Sequence, residues 1–321
     1  NPSDKVFQAV GCHGVAEAAA LACAGNGGEL IVTKTKSVRA TCAVARAGAV
    51  IRPELLGKGL GRLAIIGLGP GDANWRTPAA SAALTGASDV VGFRDYLDLT
   101  GPLAEGTERH AFAIGEEEAR VRAALDLAAE GREVALVSSG DAGIYGMAAL
   151  AYELLEREAA ADWRGVEISV EPGISALQAA AARAGAPLGH DFCAISLSDL
   201  MTPWAVIEDR LRAAAAADFV VALYNPASKR RREGLTRAME IFAATRPVDC
   251  PVIVARNLGR TEEKVRVVAL GAFDPDTIDM LTLVMIGGRE TRLIETGDGP
   301  RAYTPRGYGR PAENKPKRAA P

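Results

Sequence analysis

Residues 133–148 read EVALVSSGDAGIYGMA, a strand-like apolar run that breaks into glycines and then turns helical. The run Glu133–Val137 is too continuously apolar for a strand with one wet face, so it reads as a strand buried on both sides. Behind it stand two hydroxyls, three glycines, an acid and a tyrosine within residues 138–146. That is more chemistry than a connection requires. In an α/β sheet, loops at the carboxyl ends of parallel strands form the usual ligand-binding edge.

The same unit recurs on either side. GLGPGD (67–72) follows the apolar strand Leu63–Gly67, and the next helix is expected at Thr77, a good N-cap with Pro78 behind it. EPGISA (171–176) follows Val166–Val170, and Ser175 with Gln178 makes a capping box for a helix ending at Gly185. Further strands are expected at Asp89–Gly92, Cys193–Ser196, Phe219–Tyr224, Pro251–Ala255, Lys264–Ala269 and Leu281–Ile286. Helices are expected at Glu116–Glu130, Ala148–Ala159, Trp204–Ala216 and Glu233–Thr245. Such alternation predicts an α/β protein with mixed, mainly parallel sheets, and nine strands suit two sheets better than one.

The expected division is 62–186 and 187–295, with the boundary at Gly185-Ala-Pro187, then 296–321 as a tail; PRAYTPRGYGRPAENKPKRAAP, from Pro300, is rich in Gly, Pro, Arg and Lys. Residues 1–58 stand apart as a partial module. They read as a helix (Val15–Ala24), a strand (Glu29–Thr33), a basic loop with Lys34, Lys36 and Arg39, and a short strand (Cys42–Ala45), too little to bury a core alone. A first residue of Asn is expected where a chain begins inside a longer product.

Composition narrows the function classes. A net charge of −3 argues against a nucleic-acid partner, which usually needs a basic face. Five scattered cysteines without a C-x-x-C motif read as reduced thiols in a cytoplasm, and the three histidines are too far apart in sequence for a local metal motif. No apolar run is long enough to span a membrane. The expectation is therefore a cytoplasmic protein with no metal, no membrane and no nucleic acid.

The glycine loops exclude some ligands as well. A dinucleotide fingerprint needs a glycine where Asp72 stands, and an acid there would repel a pyrophosphate; no G-K-S/T follows for a phosphate loop. Three loops at strand ends can form one crevice. Their chemistry suits a ligand with an adenine, a ribose and an amino-acid end but no phosphates, with an acid such as Asp141 favourable beside a sulfonium. Methyl transfer from a sulfonium needs chiefly alignment, and the chain carries neither G-x-S-x-G nor a sensible His partner for a nucleophile. In the second half, ALYNPAS (222–228) runs into Lys229-Arg230-Arg231-Arg232 on a first helical turn, where the helix dipole prefers anions. Either nearby acids such as Glu233 neutralise these cations or they await a polyanionic ligand. Arg256, Asn257 and Arg260 stand at another strand end.

GLGPGD, SSGDAGIYGMA and EPGISA recur in order and at the spacing of the tetrapyrrole methylase family, which this chain resembles over about residues 62–308. SLSDLMTPW (196–204), ALYNPAS, VARNLGRTEE (254–263) and YTPRGY (303–308) resemble the branch that methylates carbon 17 of precorrin-3B. The resemblance implies the two-domain, class III methyltransferase architecture and S-adenosylmethionine as methyl donor. It implies methylation with ring contraction, a step of cobalamin synthesis, in a homodimer working beside other enzymes of that pathway. Pro70, Gly140, Asp141, Gly143, Ile144, Tyr145, Ser175 and Ala176 would line the donor site from one side, and Tyr224, Asn225, Arg256 and Asn257 from the other. Gly69 and Gly71 would face the macrocycle, with Asp72 as candidate for managing one proton or as a turn cap. Lys229, Arg230, Arg231 and Arg260 would meet the acetates and propionates of the substrate. Ala142 stands where the family commonly has Pro, and the segment around His110–Gly115 departs from the family's serine-containing pattern. Residues 14–46 resemble the end of the cobalamin biosynthesis G protein's C-terminal domain.

Three rivals stand beside that reading. A sister methylase would act on another ring carbon or on a cobalt-containing intermediate. An RNA or protein methylase on the same fold would show a basic surface stripe. A tetrapyrrole carrier would bind pigment without releasing S-adenosylhomocysteine.

Overall fold

The computed structural model describes residues 14–51, 61–158, 160, 162–227 and 232–307. Two compact units divide the chain, Asn1–Gly59 and Leu60–Pro321. In the first, helix α1 (Val15–Ala24) precedes an antiparallel hairpin of β1 (Glu29–Lys36) and β2 (Thr41–Arg46). The Lys34 N–H donates to Glu17 Oε1 at 3.0 Å, which ties strand to helix. The expected basic loop is mostly strand: Lys34 and Lys36 pair in β1, and the turn that remains is closed by Ser37 Oγ accepting from the Ala40 N–H at 3.0 Å.

In the second unit, β3 (Arg62–Gly67), β4 (Asp89–Phe93), β5 (Glu108–Phe112), β6 (Glu133–Ser138) and β7 (Glu167–Glu171) form a wholly parallel sheet in the order β5-β4-β6-β3-β7. Alternate residues of the central strands enter two different cores. Leu63, Ile65, Val134 and Leu136 pack under α4 (Glu117–Ala129) and α5 (Met147–Glu158), while Ala64, Ile66, Ala135 and Val137 pack under α2 (Pro78–Thr85). Both faces are thus apolar, as the continuous runs require. Short helix α3 (Arg94–Leu97) follows β4.

The other five-stranded sheet runs β12-β11-β13-β10-β9, from β9 (Phe192–Ser196), β10 (Val220–Tyr224), β11 (Pro251–Arg256), β12 (Lys264–Ala269) and β13 (Thr282–Ile286). Only β9 and β10 pair in parallel; the other three pairings are antiparallel. One face is covered by α7 (Trp204–Ala216) and α8 (Glu233–Ala243), with Ile207, Leu211, Leu235 and Phe242 in its core. Its other face takes α6 (Ala176–Ala184), whose Leu177, Ala179, Ala180 and Ala184 lie on Ala222, Ile253, Ala255 and Met285. The helix that follows the last strand of the first sheet therefore covers the second, and small residues let it lie close. Gly185–Ala186, expected to separate the halves, is a two-residue strand, β8, in a small sheet ordered β14-β15-β8 with β14 (Arg292–Thr296) and β15 (Gly299–Tyr303). The expected tail accordingly begins as strand: Ala302, buried, pairs with Gly185. Residues 308–321 lie outside the described residues.

Two polar clusters brace the sheets away from the glycine loops. At the start of β4, buried Asp89 accepts from Arg132 Nη1 at 2.6 Å and meets His110 Nε2 at 2.8 Å. Glu108 also approaches Arg132, so a guanidinium already balances the two acids grouped with His110. In the second half, Arg246 is buried against Asp218 Oδ1 at 2.8 Å and donates to the carbonyls of Ala215, Phe219 and Gly287. Among the described residues, no helix is long and apolar enough to cross a membrane.

Because β6, β3 and β7 are neighbours, their three loops emerge side by side, and the backbones touch where Gly67, Gly140 and Gly173 meet. A Cβ on Gly173 would stand 2.2 Å from the Gly140 carbonyl oxygen and 2.6 Å from that of Gly67. Gly69 and Gly140 exchange two backbone hydrogen bonds, of 3.1 and 2.7 Å. Glycine is required here for room, whatever the ligand.

Two consequences for stability are measurable. Arg246→Met takes the buried guanidinium from Asp218, leaving it the exposed Arg289 at 3.4 Å, and lowers the unfolding free energy in urea by about 3 kcal/mol; a loss below about 1 kcal/mol would contradict the pairing. Gly173→Ala costs about 1–3 kcal/mol through overpacking. The control Gly143→Ala, whose Cβ meets just Asp141 Oδ1 at 3.2 Å, lowers the thermal midpoint far less.

Candidate active site

Two of the three loops are joined by one carboxylate. Asp141 Oδ1 accepts from the Gly143 N–H at 2.8 Å within its own loop, and Oδ2 accepts from the Gly173 N–H of the next at 3.0 Å. The acid expected beside a ligand cation is therefore first a strut, although its charge remains at the crevice. Ser175 caps α6 as its spacing predicts, with the Gln178 N–H donating to Ser175 Oγ and the Ser175 N–H to Gln178 Oε1. Gly140 has φ +73°, and a Cβ there would point at the Ala176 nitrogen, 3.8 Å away, filling the space before the helix.

Tyr145 and Tyr224 come together across the two sheets, ring centroids 5.0 Å apart and tilted by 54°. The Tyr145 hydroxyl donates to the Ala194 carbonyl in β9 at 3.1 Å, and the Tyr224 oxygen accepts from the Leu177 N–H at 3.1 Å. Burial pushes both phenols above their ordinary pKa, so both stay protonated at neutral pH. Asn225 Nδ2 donates to Ser196 Oγ at 3.0 Å. Tyr145, Asn225 and Asn257 all hold positive φ, between +51° and +54°, a conformation that side chains other than glycine's adopt at a cost. Tyr145 and Asn225 stand in loops that follow β6 and β10, and Asn257 directly follows β11.

Of the residues expected in the donor site, Pro70, Gly140, Asp141, Gly143, Ser175 and Ala176 are gathered on the first sheet's edge and Tyr224 and Asn225 on the second's. Ile144 and Tyr145 lie exposed between them. Arg256 and Asn257 stand in the neighbouring loop after β11. Arg256 Nε is bound to Asp279 Oδ2 at 2.7 Å, which holds its guanidinium above the ordinary range. Asp279 is kept below the usual carboxylate range: burial opposes this, but bonds from Thr282, Arg256 and the Leu281 N–H outweigh it.

That loop after β11 also clasps GLGPGD. The Asp72 N–H donates to the Gly259 carbonyl at 2.8 Å, and a Cβ on Gly71 would stand 1.9 Å from the same oxygen. Asp72 Oδ1 accepts from the Asn74 N–H at 2.7 Å, so the expected turn cap is present. Its carboxylate, with Gly71, Trp75, Arg76, Arg183 and Arg260, lines a cavity of about 1110 Å³. Arg260, expected to face a substrate, donates instead to the Pro70 carbonyl and to Ser139 Oγ, both at 2.9 Å. Lys229, Arg230 and Arg231 lie outside the described residues. Asn225 also lines a second cavity of about 890 Å³, with Leu197, Asp199 and Trp204 of the SLSDLMTPW segment.

Sequence reasoning did not find Gly259, Glu263 or the Arg183–Trp75 stack. The Gly259 N–H donates to Glu263 Oε2 at 2.6 Å, Arg183 Nε to Glu263 Oε1 at 2.6 Å, and the Arg183 guanidinium lies 4.6 Å from the Trp75 ring centroid. The signal available was the glycine of NLGR, which follows a strand just as the other three glycine loops do.

Comparison with known proteins agrees with this geometry. The model of the Tetrapyrrole (Corrin/Porphyrin) Methylases matches residues 62–274, and that of the Cobalamin synthesis G C-terminus matches residues 1–45. The chain is 45% identical over 249 residues to a Sinorhizobium sp protein named precorrin-3B C(17)-methyltransferase, covering 77% of this chain and 97% of that one. It is 44% identical over 246 residues to a Salmonella typhimurium protein named probable cobalt-factor III C(17)-methyltransferase, covering 77% and 99%. The solved structure of the methyltransferase CobJ superposes with a TM-score of 0.72 at 43% identity, covering 76% of this chain and all of that one. Against the mycobacterial proteins named cobalamin biosynthesis protein CobIJ, the chain spans about half of their length, 48%. With the family's loops at adjacent strand ends and its model matched across both sheets, the chain belongs to the tetrapyrrole (corrin/porphyrin) methylases.

Proposed function

We propose that this chain transfers a methyl group from S-adenosylmethionine to carbon 17 of precorrin-3B, with ring contraction to precorrin-4, in cobalamin biosynthesis. The observation that carries the donor assignment is the meeting of three glycine loops at adjacent strand ends, with Tyr145 of the middle one packed against Tyr224 of the second sheet. The space that a Gly140 side chain would fill, in front of the Ser175-capped helix, fits a ligand bound close to backbone. The donor, when bound, supplies an electrophilic methyl on a positively charged sulfur.

The chain's own part is alignment. Gly140, Asp141, Gly143, Ser175 and Ala176 would hold the donor from one side, with Pro70 and Ile144 beside them; Tyr224, Asn225 and Asn257 would close it from the other. Tyr145 and Tyr224 offer aromatic faces, which attract cations, and Asp141 adds a negative charge. The cavity of about 1110 Å³ lined by Gly71 and Asp72 would take the macrocycle, with Gly69 in the same loop. Asp72 spends one oxygen on its turn, and the other carries no hydrogen bond among the described residues, leaving it able to take or hold a proton. Lys229, Arg230 and Arg231 would meet carboxylates of the substrate.

The reading extends to a homodimer in the cytoplasm beside neighbouring pathway enzymes, with methylase halves at 62–186 and 187–295. A cobalt-containing substrate is the second reading, favoured by the near-equal identity to the Salmonella protein.

Incubation with methyl-labelled donor and either precorrin-3B or its cobalt counterpart, followed by NMR, decides between them. Label at carbon 17 of precorrin-3B is expected. Label elsewhere, or pigment binding without S-adenosylhomocysteine release, overturns the assignment. Asp72→Asn, which keeps the turn cap but cannot hold a carboxylate's proton, is expected to lower kcat by about 10²-fold or more, with donor affinity within about twofold; an unchanged kcat removes Asp72 from the proton's path.

A further inference from the structure

We propose that Arg260 is a positioning residue for the donor pocket, acting through Pro70 and Ser139 rather than as a ligand of the substrate. The proposal rests on the donor reading above and assigns this side chain, from the second half of the unit, to the loops of the first.

The guanidinium spends its fork on two different loops. Nε donates to the Pro70 carbonyl of GLGPGD and Nη2 to Ser139 Oγ of SSGD, both at 2.9 Å and both half-buried. Between those loops the backbone supplies the Leu68 N–H bond to the Ser138 carbonyl, at 2.9 Å, and the Gly69–Gly140 pair. Arg260 adds a side-chain tie just beyond these backbone bonds, reaching Pro70 and Ser139 after the strand pairing has ended.

The anchor of this fork is itself braced. The Arg260 N–H donates to the Asn257 carbonyl at 3.0 Å, and Asn257 holds positive φ. Glu263 accepts from the Gly259 N–H and from Arg183, whose guanidinium stacks on Trp75 just after GLGPGD. The Gly71–Gly259 approach presses the two loops together at backbone distance. Such a chain of contacts suits a rigid fixture better than a side chain that must swing to meet a substrate.

An arginine serves this purpose where lysine does not. Its planar fork reaches a carbonyl and a hydroxyl at once and stays charged at any working pH, whereas an ammonium on a flexible stem would satisfy one acceptor at a time. The same side chain lines the larger cavity, which makes the alternative, a ligand for macrocycle carboxylates, a concrete competitor.

The test compares Arg260→Ala, Arg260→Lys and Ser139→Ala with the unsubstituted protein. Calorimetry gives the Kd for S-adenosylhomocysteine, absorbance titration gives the Kd for an octacarboxylate porphyrin, and the thermal midpoint controls for folding. Loss of charged hydrogen bonds of this kind predicts S-adenosylhomocysteine binding weaker by about tenfold in Arg260→Ala. Arg260→Lys, which restores one bond, and Ser139→Ala, which removes one, are each expected at about threefold, with porphyrin affinity within about twofold throughout. If donor-product affinity is unchanged in Arg260→Lys and Ser139→Ala, or if porphyrin affinity falls while it stays constant, the proposal is overturned. An unsubstituted protein that binds no S-adenosylhomocysteine sinks the donor reading and this inference with it, a result separate from any difference among variants.

Discussion

Three glycines at neighbouring strand ends leave no room for a side chain between them, and the site is arranged around that contact. Gly67 ends β3, and Gly140 and Gly173 stand two residues beyond β6 and β7, the strands that flank β3 in the sheet. Their backbones come within the distance that any Cβ would occupy, so the loops share one position and cannot drift independently. Asp141 then ties the second loop to the third, and the Gly69–Gly140 bridge ties the first to the second. The crevice is thereby shaped by backbone. Ile144 is left exposed on it, and Tyr145, though its hydroxyl is bound to the Ala194 carbonyl, keeps about half of its surface exposed.

Much of this was legible in the sequence because it is local. The apolar runs Leu63–Ile66 and Glu133–Val137 announce strands buried on two faces, and Ser175 with Gln178 announces the start of a helix; all three appear in place. Elements with weak local signals were missed. Strand β5, ERHAF, lies at the sheet's edge and buries little, and β14 is exposed along its whole length, so neither shows an apolar period. What sequence order conceals most is the position of α6. Its alanines look like a helix for the first sheet, yet they lie on the second, because chain order records adjacency along the chain and not across a packed face.

The roles of the arginines show the same limit at the level of the site. Arg256 and Arg260 stand at a strand end near the crevice, and from the sequence their charge alone suggests an anionic ligand. The structure sends one to Asp279 and the other to a carbonyl and a hydroxyl of the opposite loops. Distances across 121 and 190 residues decide the matter, and no local pattern encodes them. The strained residues follow the opposite logic. Tyr145, Asn225 and Asn257 pay in backbone energy to sit where they do, and each is held by contacts from the other half or from a neighbouring strand: Tyr145 by Ala194 and Tyr224, Asn225 by Ser196, Asn257 by Leu281.

On the proposed reading a cationic donor and a substrate carrying many carboxylates would lie a short distance apart, and the two spaces differ in the charged groups they present. Around the donor crevice stand an acid, Asp141, and two neutral phenols, both kept protonated by burial. Arg76, Arg183 and Arg260 gather instead on the larger cavity, in the company of Asp72, Asp98 and Glu263. These cations are tethered: Arg76 donates to the carbonyls of Leu99 and Thr100, Arg183 binds Glu263, and Arg260 binds Pro70 and Ser139. On the proposed reading, a guanidinium tethered in this way stays at the wall of the larger cavity and away from the donor, where a cation would oppose binding a sulfonium. The tethering therefore uses the same loop contacts that shape the crevice.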